Sequence, residues 1–220
     1  MIRYSMNEKT EKQLINFFEK YSLIKYKSKE TIYRPQEIIN QVAFVKKGYV
    51  RIFNQKESEK EITFSGFKPV FLMSYLFSKN KIRNQYYFQA LTNIELWKAP
   101  IDDFDDFLVK NPDIAIDLID VCLGSLHEVL LSWENSLRGD AYNRIGKLLL
   151  ILVKDYGKTE NNKITIDFRT THQLIASMLG ISRETASIQI KKMENDGLIL
   201  QQSNTIIIND TNTMTAKFSN

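Results

Sequence analysis

Apolar residues recur at spacings of three and four along residues 7–21, where Leu14, Phe17, Phe18 and Tyr21 stand out from a charged background. That period predicts an amphipathic helix. From residue 22 to about 98 the texture changes to short runs rich in β-branched and aromatic residues. Val42-Ala43-Phe44-Val45, Tyr49-Val50-Arg51-Ile52-Phe53, Ile62-Thr63-Phe64 and Tyr86-Tyr87-Phe88 are separated by polar segments, the signature of closely spaced strands. Lys46-Lys47-Gly48 joins two of them as a tight turn, where glycine takes a positive φ cheaply. Short strands at this spacing predict a small barrel or β-roll.

Residues 101–108, IDDFDDFL, predict a short acidic helical turn, closed before Pro112. A long helix follows over 112–137. Its Ile116, Ile119, Leu123, Leu126, Leu130, Trp133 and Leu137 repeat in a three-four pattern, which Cys122 and Val129 widen. A monomer's core helix would also carry an apolar stripe. The seven-residue regularity favours a two-fold coiled-coil seam, with Cys122 as buried packing and a second face against the β-roll. Arg138, Gly139 and Asp140 then form a hinge, Gly139 ending one helix and Asp140 capping the next, which runs over 141–154 and buries Ile145, Leu148, Leu149 and Leu152. The chain thus divides into a β-roll sensor-like domain (1–111), a dimerisation helix (112–138) and a C-terminal domain (139–220), in an α+β fold.

The most informative stretch is THQLIASMLGISRETASIQIKKMENDGLI, residues 171–199. Thr171 can cap a helix whose Leu174, Ile175 and Leu179 face inward, Ala176 keeps the helix crossing close, and Gly180 makes the turn. Ile181 plugs the corner and Ser182 caps a second helix, with Ala186, Ile190 and Met193 inward and Arg183, Glu184, Ser187, Ile188 and Lys191 outward. This is a helix-turn-helix, whose second helix fits the major groove of B-DNA. Residues 199–201, a turn at Ser203-Asn204 and residues 205–208 predict a β-hairpin wing.

The chemistry suits nucleic acid. Arg183 can donate two hydrogen bonds to guanine O6 and N7, and Glu184 can accept from cytosine N4. Thr171, His172, Gln173, Ser182 and Thr185 lie near helix N-termini and suit phosphate oxygens, which position a reader without specifying sequence. Charge adds little, since 30 Lys and Arg against 26 Asp and Glu leave a net +4. Locally, Arg169, Arg183, Lys191 and Lys192 face only Glu184 across residues 168–192.

Composition removes other classes. The chain has 220 residues, of which 43% are hydrophobic and 25% charged, so it is neither disordered nor low-complexity. One cysteine excludes an intramolecular disulfide or a multi-thiolate metal site, and two histidines cannot form a multi-histidine centre. No resident metal or cofactor is expected. No apolar run approaches the ~20 residues that span a bilayer, and the first residues lack a secretory core, which points to the cytoplasm.

With GISRETAS, ENDGLI, the wing, the Asp140 hinge, the long helix and the Gly48 turn in place, the sequence resembles the CRP/FNR family of bacterial transcription regulators over nearly its whole length. The resemblance implies an N-terminal cyclic-nucleotide-binding-like β-roll, a long dimerisation helix and a C-terminal winged helix-turn-helix. It further implies a homodimer on a near-palindromic stretch of double-stranded DNA, contact with RNA polymerase, Arg183 and Glu184 as base readers, and no enzymatic activity.

The sequence departs from the family in three respects. Ile188 stands where the family commonly has a second arginine, and it could meet a thymine methyl; beside it, Gln189 occupies a usual core position. The Gly-Glu and Arg-Ser/Thr pairs that hold a cyclic nucleotide are missing, Arg83 being followed by Asn84. Cyclic AMP should therefore bind poorly, and Ser74, Tyr75, Arg83 and Tyr87 remain as candidates for an unidentified small-molecule effector. The N-terminal cysteines of iron–sulfur members are also missing. Three alternatives stay open: a ligand-independent regulator of the same family, a β-roll enzyme with an appended helical domain, and a β-roll binding or interaction protein without DNA activity. Residues 155–163 are expected to form a loop that could face polymerase.

Overall fold

The computed structural model describes residues 6–55, 60–67, 71–80, 82–137, 139–160 and 163–218. Elements run in the order α1 (Glu8–Phe18), β1 (Leu23–Tyr26), β2 (Thr31–Tyr33), β3 (Gln41–Lys47), β4 (Val50–Asn54), β5 (Ile62–Phe67), β6 (Phe71–Met73), α2 (Tyr75–Lys79), β7 (Tyr87–Ala90), β8 (Ile94–Pro100), α3 (Ile101–Lys110) and α4 (Pro112–Leu137). They continue with α5 (Ala141–Tyr156), β9 (Gly157–Glu160), β10 (Lys163–Ile166), α6 (His172–Leu179), α7 (Arg183–Asn195), β11 (Ile199–Gln202), β12 (Thr205–Ile208) and α8 (Thr211–Phe218). By compactness the chain forms two units: Met1–Ile52 with Gly66–Trp133, and Phe53–Ser65 with Glu134–Asn220.

Two four-stranded sheets, ordered β1-β8-β3-β6 and β2-β7-β4-β5, make the β-roll. The inner face of the first sheet joins Ala43, Val45, Met73, Ile94 and Leu96 to Ile32, Tyr33, Val50, Phe88 and Ala90 in one core. Its outer face is buried too. Val42, Phe44, Trp97 and Ala99 pack with Leu14, Phe17 and Phe18 of α1, Phe104 of α3 and Ile114 of α4. Burial of both faces explains why β3 reads as a continuous apolar run instead of an alternating one. Phe18 stacks on Phe44 at 5.0 Å, and Phe17 stacks on Phe107 at 4.5 Å. Asn7 caps α1 through a 2.8 Å bond from the Thr10 N–H.

Two local expectations change. Residues 101–108 belong to a full ten-residue helix, α3, because Phe104 seats it in the outer core with Phe107 and Leu108 beside it. The expected loop at 155–163 is largely the β9–β10 hairpin, in register from Gly157↔Ile166 to Glu160↔Lys163. Its strand character comes from pairing with β12, not from its own polar sequence. Cys122 is exposed in the single chain, on the apolar stripe that α4 turns outward.

That stripe is the clearest feature of α4. Ile116, Ile119, Leu123, Leu126, Val129, Leu130 and Trp133 are each between 51% and 65% exposed, while Ile114 is buried and Leu118 packs on the outer core of the β-roll. The Leu137 side chain and Arg138 lie outside the described residues. Gly139 has φ +82°, and Asp140 Oδ1 accepts the Asn143 N–H at 2.9 Å, capping α5. In the second unit α5 buries Tyr142, Ile145, Gly146, Leu149, Leu152, Val153 and Tyr156; Leu148 is only half-buried. A third sheet, β11-β12-β10-β9, completes this unit.

Candidate nucleic-acid interface

Local sequence chemistry builds α6, the turn and α7. Thr171 Oγ1 accepts the Leu174 N–H at 3.1 Å and starts α6. Gly180 ends it at φ +63° and ψ +27°, a left-handed geometry that costs a side-chain-bearing residue about 1–2 kcal/mol. The chain then turns on the Ile181 N–H to Ala176 carbonyl bond, 3.1 Å. Ser182 Oγ accepts the Thr185 N–H at 3.0 Å and starts α7, its hydroxyl also 3.0 Å from that of Thr185. Two orphan amides of the helix starts are thus satisfied by side chains three residues back, each worth about 1 kcal/mol.

The inward face of α7 is fixed by Ala186, Ile190 and Met193, all fully buried. From α5, the Arg144 guanidinium donates to the Leu179 carbonyl at the end of α6. At the far end of α7 the Asp196 carboxylate accepts from the Tyr142 hydroxyl and, at 3.4 Å, from Lys217 Nζ. Lys217 also donates to the Tyr142 hydroxyl at 3.0 Å, and Lys192 stands 4.7 Å over the Tyr142 ring. The Tyr142 hydroxyl and the Lys217 charge hold the Asp196 carboxyl below its ordinary value, so it is ionised near neutrality.

What remains outward is compact. Arg183, Glu184, Ser187 and Ile188 line one shallow depression of about 290 Å³. The Glu184 carboxyl is held below its ordinary value, first by its own backbone N–H and then by the Ser182 hydroxyl and the Arg183 charge. Near neutrality it is therefore an acceptor with no proton to give. Lys191 is exposed and pairs with Glu194 at 2.9 Å. Gln173 is exposed at the start of α6.

The wing is tied to both helices. Glu194 Oε1 accepts the Gln201 N–H at 3.3 Å, and the Gln201 amide meets His172 Nε2. Ser203 and Asn204 take φ +50° and +66° between β11 and β12, the paired positive values of a two-residue hairpin turn. Thr170 Oγ1 accepts the Ile206 N–H at 2.9 Å. Of the predicted phosphate contacts, Thr171 and Ser182 use their oxygens as helix caps and His172 bonds to the wing. Sequence reading missed Arg144, Glu194 and Gln201 as holders of this geometry, because their partners lie on other elements.

The effector candidates are dispersed in the β-roll. Ser74, at φ +73°, donates to the Gln41 carbonyl at 2.9 Å and accepts the Ala43 N–H at 3.3 Å, stitching the end of β3. The Tyr75 hydroxyl donates to Asp105 at 3.0 Å, and burial with that carboxylate pushes its pKa up to about 12. Arg83 is exposed and Tyr87 half-buried. A different residue enters the interior: Lys98, two and four positions from Leu96 and Ile94 on the same face of β8. Its Nζ donates to the Tyr26 hydroxyl at 3.2 Å and lies 4.3 Å over the Tyr33 ring. The two-residue alternation from Ile94 through Leu96 to Lys98 is the signal in the sequence.

Residues 143–216 match the Crp-like helix-turn-helix domain, and residues 23–111 match the cyclic nucleotide-binding domain. The chain belongs to the CRP/FNR family. It is accordingly a DNA-binding transcription regulator and not an enzyme. Among similar proteins, the global nitrogen regulator of a Nostoc species is 26% identical over 196 residues, 88% of each chain. The cAMP-activated global transcriptional regulator CRP of Pasteurella multocida is 26% identical over 189 residues, 85% of this chain and 90% of that one. A CRP-family transcriptional regulator from Thermus thermophilus shares the fold at TM-score 0.78 and 17% identity, covering 90% of this chain and 97% of that one. Among the described residues, no helix is long and apolar enough to cross a membrane.

Proposed function

We propose that this CRP/FNR-family regulator acts as a homodimer on a near-palindromic operator in the cytoplasm, with Arg183 and Glu184 of each protomer reading base-pair edges. One observation carries the reading: the buried side chains of α7, Ala186, Ile190 and Met193, share its inward face, leaving a guanidinium, an ionised carboxylate, Ser187 and Ile188 together on an open surface. A major groove offers guanine acceptors to the first group and a cytosine amino donor to the second. The outward stripe of α4 supports pairing of two copies through Ile116, Ile119, Cys122, Leu123, Leu126, Val129, Leu130 and Trp133, a seam that the spacing in the sequence carries on to Leu137. Two recognition helices about 34 Å apart would then meet successive major grooves. Thr171, His172, Gln173, Ser182, Thr185 and Lys191 flank them on the phosphate side.

The dimer acts with RNA polymerase, and movement at Arg138, Gly139 and Asp140 would re-aim α7. Any small-molecule effector differs from cyclic AMP. Ser74 is consumed by backbone bonding, and neither a Gly-Glu pair nor an Arg-Ser pair stands in the 71–90 segment. Selection of bound duplexes from random DNA at moderate salt tests the reading; an enriched inverted repeat is expected. Absence of any sequence preference overturns it, and saturable cyclic AMP binding by calorimetry overturns the effector part alone.

A further inference from the structure

We propose that Ile188 reads the C5 methyl group of a pyrimidine in each half-site, so that the regulator distinguishes thymine from uracil at one position without a hydrogen bond. The assignment rests on the reading of α7 as the groove-facing helix and names the chemistry of its third contact.

Ile188 is 64% exposed. The packing of α7 is completed by Ala186, Ile190 and Met193, which are fully buried, so Ile188 lies outside the core. Helix propensity does not favour it either, since a β-branched side chain is a poorer choice than lysine, glutamine or arginine on a solvent face. What distinguishes it from a scattered surface residue is its place. It stands one turn beyond Glu184 and shares one depression with Arg183, Glu184 and Ser187. The first two can exchange hydrogen bonds with base edges. Ser187 is short and half-buried, which leaves the branched end of Ile188 as the prominent apolar group of that surface.

An aliphatic side chain in the major groove has one favourable partner, the methyl group of thymine. Set against guanine O6 and N7, the amino group of adenine or that of cytosine, it would strip water from a polar atom and offer nothing in return. Ile188 therefore both selects a methyl-bearing pyrimidine and disfavours the other bases. It cannot separate thymine from 5-methylcytosine by the methyl itself. Covering one methyl group corresponds to about a three- to fivefold change in affinity.

The test uses the full-length protein and the operator recovered by selection, with each thymine replaced singly by uracil at fixed moderate salt. At one thymine per half-site, uracil should weaken the wild type about three- to fivefold. A cytosine there should bind worse still, with 5-methylcytosine recovering part of the loss. Ile188→Ala should bind the thymine and uracil duplexes equally, while Ile188→Val keeps the preference. Arg183→Ala should lose overall affinity yet retain the thymine-to-uracil ratio. Circular dichroism and melting of both Ile188 variants should match the wild type. Uracil tolerated at every position by the wild type, or a preference that survives in Ile188→Ala, overturns the assignment. If Arg183→Ala still fails on that operator, the groove-facing reading stands and only the role of Ile188 falls. A selection that recovers no operator overturns both.

Discussion

Gly146 faces the ring of Phe218 so closely that a β-carbon at residue 146 would stand 2.5 Å from the ring atoms Cγ and Cδ1. Phe218 is 2% exposed and tilts against Tyr142 with ring centroids 5.5 Å apart. The last helix, α8, is thereby seated on α5, and the same seating brings Lys217 to Tyr142 and Asp196 at the end of the recognition helix.

Replacing Gly146 with alanine should therefore overpack this contact and cost about 1–3 kcal/mol, although alanine is the better helix former. Thermal denaturation should show a lower midpoint, and Gly146→Ala combined with Phe218→Leu should recover part of it. An unchanged midpoint in the single variant would mean that α8 does not rest on α5.

Arg183 and Lys191 occupy the same exposed side of α7 and should fail differently. Arg183→Ala should cost about 1–3 kcal/mol on the selected operator and relax one base position. Lys191→Ala should weaken binding to all duplexes alike and lower the salt slope by about one. Its ion pair with Glu194 is surface-exposed and contributes little to stability. Anisotropy titrations over a salt series separate the two, and equal losses on specific and random DNA for both variants would contradict these roles.

Legibility in the sequence followed locality. The helix-turn-helix could be read because Thr171, Gly180 and Ser182 act on amides and dihedrals within a few residues of themselves. The two short strands β9 and β10 could not, since Gly157-Lys158-Thr159-Glu160 becomes a strand only through pairing with β10. The helix α8 escaped for a similar reason: only Met214 and Phe218 of its eight residues are buried, too few to set a period. Lys98 was hidden as a polar residue in an apolar strand, and its cover comes from Tyr26 and Tyr33 of two other strands. The depression on α7 was legible as a set of outward residues, while the supports behind it, Arg144 and Tyr142, were visible only once α5 was placed.

The stripe on α4 yields a separate expectation for assembly. Trp133 is 65% exposed in the single chain, so an aspartate there should leave the fold intact while placing two like charges in a coiled-coil seam. Sedimentation should show Trp133→Asp as a monomer with unchanged circular dichroism and sharply reduced operator affinity, because two half-sites would no longer be engaged by one particle. A variant that keeps the dimer mass would place the seam elsewhere.

The Tyr142–Asp196–Lys217 cluster predicts how stability responds to pH. The Tyr142 hydroxyl and then Lys217 hold the folded Asp196 carboxyl below its ordinary value. Its contribution is therefore fully present above about pH 4 and is lost as pH falls through the depressed folded value. Lys217 is shifted upward by the Tyr142 hydroxyl and by Asp196, and burial with the Asp196 bond raises Tyr142 as well. Their contributions are present below about pH 10 and fade as pH rises through the raised values. Asp196→Asn should therefore flatten the acid limb of a plot of melting midpoint against pH. It should leave most of the alkaline limb, since the leading influence on Lys217 is Tyr142; Tyr142→Phe should flatten both. Glu184, Glu194 and Asp210 are also held low and share the acid limb, so the measurement that decides is the difference between variant and wild type. Identical acid limbs would show that Asp196 keeps no preferential partner in the folded protein.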